Sequence, residues 1–184
     1  MEHKGTVRLE TDRLILRRFT LEDAEAVFTN WASDDEVTKF LTWPTHRSVE
    51  NSAGYMSFCV ESYKDLSSYQ WGIVLKETGE LFGNISVVRV EDSVDAVELG
   101  YVSGRRFWGN GYMTEAARAV IAFFFEEVGA NRISARHDTN NPNSGKVMRK
   151  AGMKYEGTYR QADRNNQGIV DCAVYSILKE EFRA

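Results

Sequence analysis

A glycine-containing loop between a predicted strand and a predicted helix carries the clearest chemical signal in this sequence. The strand-like residues 96–102 are followed by Gly104, and Gly109 and Gly111 stand just before a helical pattern that starts at Met113. A loop that enters a helix in this way leaves several backbone N–H groups unpaired at the positive end of the helix dipole. These groups favour an anion, and a pyrophosphate suits them.

Comparison with known phosphate-binding motifs narrows the type of ligand. A Walker A loop requires lysine and then serine or threonine after its second glycine, whereas Gly109 is followed by Asn110 and Gly111. A dinucleotide-binding loop requires a third glycine or alanine, and Thr114 occupies that position. The acid that binds the ribose about 20 residues further on is also missing. ATP bound by a Walker loop and a nicotinamide-dependent oxidoreductase are therefore disfavoured, whereas a tight turn without a ligand stays open.

Two short motifs resemble the signatures of one enzyme family and occur in that family's order. Residues 106–111 resemble the Arg/Gln-x-x-Gly-x-Gly/Ala signature of the GCN5-related N-acetyltransferases, the GNAT family, in which this loop holds the pyrophosphate of acetyl-CoA. Asn141 and Ser144, followed by residues 150–153, resemble the Asn-x-x-Ser and Lys-x-Gly-Phe pattern of the family's next helix. Met153 replaces the usual phenylalanine. The sequence is thereby identified as a member of the GNAT family.

Further segments narrow the resemblance to one branch. Residues 11–17, 112–116 and 155–157 are similar to the ribosomal-protein N-terminal acetyltransferases of the RimJ and RimL type. The similarity spans nearly the whole chain, which implies a single acetyltransferase domain over residues 1–184 with a core at about 7–180. The implied enzyme is an acyltransferase that uses acetyl-CoA as co-substrate and acetylates a primary amine.

The resemblance also assigns the cofactor contacts. In the family, the strand that corresponds to residues 98–102 separates from the strand at residues 132–137, and the pantetheine arm of acetyl-CoA lies in the gap. Backbone groups near Tyr101 and Val102 would bind this arm and polarise the thioester carbonyl, as an oxyanion site does. The implied cofactor-binding residues are Tyr101, Val102, Arg106, Phe107, Trp108, Gly109, Asn110, Gly111, Tyr112, Thr114, Asn141 and Ser144.

Direct attack of the amine on the thioester needs a proton acceptor and a proton donor, and it needs no covalent enzyme intermediate. Glu98 is the predicted base, acting through water. Its alternative role is to pair with a neighbouring arginine or only to orient the substrate ammonium. Ser144 is the predicted acid for the departing thiolate, with a helix cap or a cofactor contact as its alternative role. Tyr155 and Tyr159 are the fallback acids.

The resemblance implies an amine acceptor without fixing its identity. An α-amino group, with a pKa of roughly 7.7–8.0, is partly neutral at pH 7, whereas a lysine side chain at about 10.4 needs more help. A protein N-terminus is favoured, and polyamines, antibiotics or other small amines are the alternatives. The first two helices, the segment that connects them and the last hairpin should bind the acceptor. The predicted substrate-binding residues are Trp43, Glu98 and Tyr155, with Trp43 beside Pro44 at the rim of the pocket.

A binding module that holds CoA without catalysing transfer is the competing hypothesis from another class. Loss of Glu98 or of the serine after Asn141 would favour it, and both residues are present. Members of the RimJ and RimL branch often form dimers, so the resemblance also allows a homodimer.

Composition argues against several other classes of protein. The 184 residues include 23 Lys plus Arg and 27 Asp plus Glu, a formal charge of −4, which disfavours a nucleic-acid partner. The longest apolar block, residues 119–125, is too short for a membrane span, and residues 1–6 do not start a secretory signal. A cytoplasmic protein is therefore expected. Cys59 and Cys172 are predicted to be buried thiols, and the scattered His and Cys residues predict no metal site.

These residues need a framework of strands and helices, which the hydrophobic periodicity outlines. Residues 7–17 are predicted as a strand, and helices are predicted over residues 20–31, 48–63, 113–128 and 142–151. The order along the chain is βααβββαβαββ, which predicts a mixed α/β fold on one central sheet. With the resemblance, it becomes a single-domain GNAT-like fold. Its central mixed, mostly antiparallel sheet has about seven strands, is flanked by about four helices and is splayed at the cofactor site.

Overall fold

One mixed sheet of eight strands runs through residues 1–182, the part of the chain that the computed structural model describes. The strands are β1 (Leu9–Glu10), β2 (Leu14–Arg17), β3 (Gln70–Leu75), β4 (Leu81–Glu91), β5 (Ala96–Ser103), β6 (Arg132–Asp138), β7 (Lys154–Asn165) and β8 (Gly168–Leu178). Their order across the sheet is β1-β2-β3-β4-β5-β6-β8-β7. Among these strands, β5 and β6 form the parallel pair, and all other neighbours are antiparallel.

Five α-helices lie against this sheet in the same residues. They are α1 (Ala24–Val27), α2 (Asp35–Thr38), α3 (Val49–Ser62), α4 (Tyr112–Phe123) and α5 (Pro142–Lys150). Local signals set their ends. Before α1, Asp23 Oδ2 accepts a hydrogen bond from the Thr20 N–H group (2.8 Å), as in a capping box. Gly129, with a φ of 79°, ends the π-helical turn that continues α4, and proline stands at the start of α5.

The fold agrees with the predicted class but has one more strand and one more helix. Residues 7–17 form the two-stranded hairpin β1–β2 rather than one strand, because Thr11 turns the chain. The Thr11 N–H group donates to Leu14 O (3.0 Å), and Thr11 Oγ1 accepts from the Leu14 N–H group (3.0 Å). The additional helix is α2, where Asp34 caps the Glu36 N–H group (3.0 Å). Its four residues are too few to show a helical period in the sequence.

Two apolar clusters pack on opposite faces of the sheet. On one face lie α4 and the turn after it, with Phe124 in edge-on contact with Trp71. On the other face, α1 and α3 surround Trp31, which is 1% exposed. Neighbouring residues of β3 point to opposite clusters, since Ile73 belongs to the first and Val74 to the second.

The two cysteines, Cys59 and Cys172, are buried and not bonded to each other, as the sequence predicts. Within residues 1–182, no group of three or more His, Cys, Asp or Glu side chains is arranged to hold a metal ion. The helices formed by these residues include none that is long and apolar enough to cross a bilayer.

The parallel strands β5 and β6 separate along their length. Their pairing ends at Leu99 and Ala135. Further along, in the described part of the chain, residues 100–103 pair only with β4 and residues 136–138 only with β8. The diverging ends lie on the same side of the molecule because the strands are parallel, and α4 follows β5 while α5 follows β6. The predicted splay is therefore present, and the first turns of both helices border it.

Candidate active site

Two cavities lie at the gap between β5 and β6. The first, named the helix cavity, has a volume of about 440 Å³ and is lined by the first turns of α4 and α5. The second, named the hairpin cavity, has about 470 Å³ and is lined in part by the β7–β8 hairpin. Molecules bound in the two cavities would meet at a shared wall, named the junction. Its residues are Phe40, Leu41, Tyr101, Val102, Asn141 and Ser144.

The loop before α4 gives the helix cavity its anion-binding groups. Gly109 and Gly111 have φ angles of 81° and 78°, a region that favours glycine. Within residues 1–182, none of the backbone N–H groups of residues 109–114 donates a hydrogen bond to a protein atom. All of these residues except Asn110 line the helix cavity. The unpaired donors at the positive end of α4 therefore have the arrangement that an anion-binding site needs, and phosphate binding there stays a prediction.

The β1–β2 turn braces this loop from outside the cavity. Arg13 Nη1 donates to Asn110 O (3.1 Å), and Arg13 Nε donates to Glu115 Oε2 (2.7 Å). Thr11 Oγ1 donates to Glu115 Oε1 (2.6 Å). Burial acts to raise the pKa of Glu115, but the hydrogen bonds from Thr11 and Arg13 lower it overall. The segment at residues 11–17 therefore helps to fix the glycine loop.

Two residues predicted to bind the cofactor do not line the helix cavity. The Arg106 guanidinium is paired with Glu80, and its Cζ atom lies 5.2 Å from the centre of the Phe107 ring. Asn110 Nδ2 donates to the carbonyl oxygens of Phe107 (3.3 Å) and Trp108 (3.2 Å). Both side chains shape the loop instead of facing the cavity, which the motif could not reveal. The other predicted residues line it: Tyr101, Val102, Phe107, Trp108, Gly109, Gly111, Tyr112, Thr114, Asn141 and Ser144.

Tyr101 and Ser144 form a hydroxyl pair at the junction. The Tyr101 hydroxyl donates to the carbonyl oxygen of Ser144 (2.9 Å) and accepts from Ser144 Oγ (3.0 Å). Burial raises the pKa of Tyr101, against the opposing effect of the hydrogen bond from Ser144. The phenol therefore stays protonated at neutral pH. The sequence predicts a backbone role for Tyr101 but gives no signal for this side-chain contact.

Glu98 lines the hairpin cavity with both carboxylate oxygens bound. Arg136 Nε donates to Oε1 (2.5 Å) and Arg136 Nη2 donates to Oε2 (2.8 Å). These bonds to Glu98 raise the pKa of Arg136. Glu98 is in register with Ser134, so Arg136, two residues along the neighbouring strand, is on the same face of the sheet. One alternative role predicted for Glu98 is to pair with a neighbouring arginine that the sequence does not identify. The structure identifies this arginine as Arg136.

The rim of the hairpin cavity comes from the two segments expected to bind the acceptor. Trp43, between α2 and α3, lines the cavity, and its ring lies 5.2 Å from the His46 ring. Tyr155 and Tyr159 line neither cavity, and they are 56% and 59% exposed. Both belong to β7, an edge strand of the sheet, and Tyr155 shares a hydrogen bond with Thr158 (2.8 Å). The structure therefore brings neither tyrosine to these two cavities, and the substrate-binding role of Tyr155 and the fallback acid roles of both stay predictions without a supporting contact.

Comparison with known proteins decides the family. The family model for the acetyltransferase (GNAT) domain matches residues 13–154. The chain belongs to the GNAT family. The N-acetyltransferase YoaA of Bacillus subtilis is 35% identical over 171 residues, which cover 93% of this chain and 96% of that protein.

Two further relatives of this GNAT enzyme extend the comparison. The ribosomal protein uS5-alanine N-acetyltransferase of Escherichia coli is 30% identical over 158 residues, which cover 82% of this chain and 80% of that enzyme. The crystal structure of a GNAT-family acetyltransferase from Bacillus anthracis covers 95% of this chain and 99% of that chain, with 26% identity and a TM-score of 0.83. The chain is thus an acetyl-CoA-dependent N-acetyltransferase that acts on an amine, with relatives that include a ribosomal-protein acetyltransferase.

Proposed function

We propose that this GNAT enzyme acetylates the α-amino group of a protein N-terminus. The observation that carries the proposal is that the helix cavity and the hairpin cavity meet at the junction, beside Tyr101 and Ser144. One cavity can then hold acetyl-CoA while the other holds the amine. The hairpin cavity, at about 470 Å³, lies within the range of roughly 300–1,000 Å³ that is usual for ligand pockets. The first residues of a polypeptide fit this size.

The wall of the helix cavity suits acetyl-CoA. The unpaired N–H groups of residues 109–114 would bind the pyrophosphate, and Lys146 and Lys150 on the same wall supply positive charge. Beyond Leu99, β5 no longer pairs with β6, so its backbone is available to the pantetheine arm. Bound acetyl-CoA supplies the activated acetyl group. The backbone around Val102 would polarise its carbonyl at the junction.

Glu98 and Ser144 have complementary roles in this proposal. Glu98 accepts, through a water molecule, the proton that the acceptor ammonium loses before it attacks. The bidentate contact with Arg136 orients the carboxylate and leaves lone pairs for that water. As the C–N bond forms and the C–S bond breaks, Ser144 Oγ turns its proton from the Tyr101 hydroxyl to the departing sulfur. The nitrogen that has attacked gives its second proton, through water, to Ser144 Oγ, and Glu98 releases the first proton to solvent, which leaves a neutral amide and a neutral thiol.

The charges around the hairpin cavity favour a cationic acceptor. Its lining includes the three carboxylates of Glu98, Asp138 and Asp163 against the two guanidinium groups of Arg136 and Arg164. This surplus of negative charge attracts an ammonium group, which exists in equilibrium with the neutral amine that reacts.

Asp163 is the carboxylate with the most capacity for an ammonium. Its Oδ1 accepts from the Arg164 N–H group (2.8 Å), and the nearest cation to Oδ2 in the described residues is Arg136 Nη1 at 4.0 Å. Asp138, by contrast, already accepts hydrogen bonds from Asn140 and Asn165. Asp163 therefore binds the acceptor ammonium in this proposal, and Trp43 contacts the chain behind it at the rim.

An α-amino acceptor is favoured over a lysine side chain because its pKa of roughly 7.7–8.0 leaves a substantial neutral fraction at pH 7. A base that acts through water then has to deprotonate a smaller fraction of the amine. The similarity to the E. coli uS5-alanine N-acetyltransferase supports the same choice. A peptide that begins with alanine is therefore the first acceptor to test.

The test measures thiol release from acetyl-CoA with matched acceptors. Peptides that begin with alanine are supplied with a free or an acetylated N-terminus, and polyamines and aminoglycosides are assayed in parallel. We expect turnover with the free N-terminus and none with its acetylated partner. Turnover confined to polyamines or aminoglycosides would overturn the N-terminal proposal and assign a small-amine substrate. Calorimetry with acetyl-CoA tests the helix cavity separately, because that assignment requires cofactor binding without any acceptor.

A further inference from the structure

The turn between β7 and β8 is bonded to a distant segment through one residue, Asn166. Asn166 Nδ2 donates to the carbonyl oxygens of Thr38 (2.9 Å) and Trp43 (2.8 Å). The Asn166 N–H group donates to the carbonyl oxygen of Leu41 (3.1 Å). More than 120 residues separate these partners along the chain. The side chain and the backbone N–H group of Asn166 therefore hold the end of α2 at Thr38 and two points, Leu41 and Trp43, in the segment between α2 and α3.

That segment, residues 39–47, is named the capping loop. Within residues 1–182, the main chain of residues 39–45 forms one hydrogen bond besides those with Asn166, from the Leu41 N–H group to Thr38 O (2.8 Å). The base of the loop is held separately, because the His46 N–H group donates to Ala32 O (2.9 Å) and Thr45 Oγ1 contacts both Thr38 Oγ1 (2.6 Å) and Asp35 Oδ1 (2.6 Å). At its tip, around Leu41 and Trp43, the hydrogen bonds from Asn166 are the main ones that hold the main chain.

The tip of the capping loop reaches both cavities. Phe40 and Leu41 belong to the junction, and they are the junction residues that do not come from β5 or the α5 region. They lie between the points that Asn166 holds. Apolar side chains at this place exclude water from the point where thioester and amine meet, and exclusion of water prevents hydrolysis of a reactive substrate.

We propose that Asn166 is a positioning residue that holds the capping loop over the junction, so that Phe40 and Leu41 close both cavities at once. The proposal rests on the assignment of the two cavities to acetyl-CoA and amine. Under this proposal, the β7–β8 hairpin, which borders the hairpin cavity, also controls how well the helix cavity is closed. Loosening of this contact allows the loop tip to move and admits water to the thioester.

The first test compares Asn166→Asp with Gln167→Ala. Aspartate has the shape of asparagine but cannot donate to the Thr38 and Trp43 carbonyls, whereas Gln167 is the next residue of the same turn and its side chain forms no hydrogen bond within residues 1–182. We expect Asn166→Asp to raise the KM for acetyl-CoA and for the amine, each roughly tenfold, as loss of two hydrogen bonds implies. Gln167→Ala should leave both KM values unchanged.

The second readout is hydrolysis of acetyl-CoA without an amine, which a loss of stability alone would not increase. Asn166→Asp should release thiol in the absence of acceptor several times faster than the wild type, per folded molecule. In a double-mutant cycle, the effects of Asn166→Asp and Phe40→Ala on this hydrolysis rate should be non-additive, because each change alone admits water to the junction.

Unchanged KM values and hydrolysis in folded Asn166→Asp would overturn the proposal. If that variant is poorly folded, Asn166→Ser is judged by the same criteria, since it keeps the backbone bond to Leu41 and loses the amide donors. Failure of the wild type to bind acetyl-CoA is a different outcome, which contradicts the cavity assignment rather than the role of Asn166.

Discussion

The two cavities of this enzyme are lined by different kinds of chemical group. The groups proposed to bind an anion in the helix cavity are mostly main-chain N–H groups, and one short segment, residues 109–114, supplies them, with Lys146 and Lys150 on the same wall. The hairpin cavity collects side chains from separate parts of the chain, among them Trp43, Glu98, Arg136 and Asp163. A site made from the backbone of one segment tolerates side-chain changes around it, whereas a site made from distant side chains can change its ligand with few substitutions. The difference suits an enzyme family with one co-substrate and many acceptors.

The largest effect should follow from removal of the one carboxylate assigned to catalysis. We expect Glu98→Gln to lower kcat/KM by roughly 100-fold to 10,000-fold, because glutamine cannot accept the proton through water. Its affinity for acetyl-CoA should not change, since Glu98 lines the hairpin cavity and not the helix cavity. Steady-state thiol release together with calorimetry measures the two quantities.

The chain contains a matched control for this variant. Glu156 also accepts two hydrogen bonds from an arginine of β6, Arg132 (both 2.6 Å), but it lines neither cavity. Glu156→Gln removes the same kind of ion pair and should leave kcat/KM within about twofold of the wild type. A loss below tenfold in Glu98→Gln would instead support the alternative in which Glu98 only orients the ammonium.

The next effect tests the backbone character of the helix cavity. We expect Gly109→Ala to raise the KM for acetyl-CoA roughly 10-fold to 100-fold, because alanine strains a φ of 81° and the loop must change its backbone to relieve the strain. Gly79→Ala is the control, since Gly79 has a φ of 71° and, like Gly109, has nothing within 4 Å of an added Cβ atom. Both variants should lose similar stability. An equal KM in both would show that the geometry of the glycine loop does not control cofactor binding.

The contrast between the cavities also explains which features the sequence could predict. The start of α4, the end at Gly129 and the proline at the start of α5 depend on local hydrogen bonds and backbone angles, so residue type and spacing are enough to find them. The splay followed from the resemblance to the GNAT family. The β1–β2 hairpin was missed because its strands have only two and four residues and its turn is closed by contacts between Thr11 and Leu14, without the glycine or proline that usually indicates a turn.

The hairpin cavity was harder to predict because its contacts depend on register between distant strands. Arg136 faces Glu98 through the pairing of β5 with β6, and the sequence contains no local sign of that pairing. The same limit applies to Asn166, whose partners are brought to it by folding of the capping loop. Tyr155 was placed at the substrate by resemblance, but its position on the edge strand β7 leaves it exposed to solvent.

A smaller effect should distinguish Asp163 from Glu98 within the hairpin cavity. We expect Asp163→Asn to raise the KM for the amine about tenfold, as loss of one charge-assisted hydrogen bond predicts, with kcat nearly unchanged. The KM for acetyl-CoA should stay the same because Asp163 does not line the helix cavity. Asp163→Glu keeps the charge and should recover part of the affinity. A decrease in kcat with an unchanged KM would move Asp163 from binding to catalysis.

The smallest effect concerns stability in acid and uses the ion pair outside the cavities. The hydrogen bonds from Arg132 lower the pKa of Glu156 to about 2, from an ordinary value of 4.5. A depressed pKa stabilises the folded state above the unfolded pKa, and this stabilisation is lost as the pH falls from about 4.5 towards 2. The pair is partly exposed, with side-chain exposures of 30% for Arg132 and 41% for Glu156, so solvent screening reduces its contribution to about 1 kcal/mol.

Glu156→Gln should therefore lower the Tm at pH 7 by roughly 2–4 °C, and the difference from the wild type should shrink as the pH approaches 2. Thermal unfolding of both proteins across this range measures it. Such a result would separate the two ion pairs that β6 forms: Arg132 with Glu156 would contribute stability alone, whereas Arg136 with Glu98 would hold the base in place for catalysis. A Tm difference that stays constant down to pH 2 would instead assign the effect of Glu156 to packing, because a charge interaction cannot survive protonation of the carboxylate.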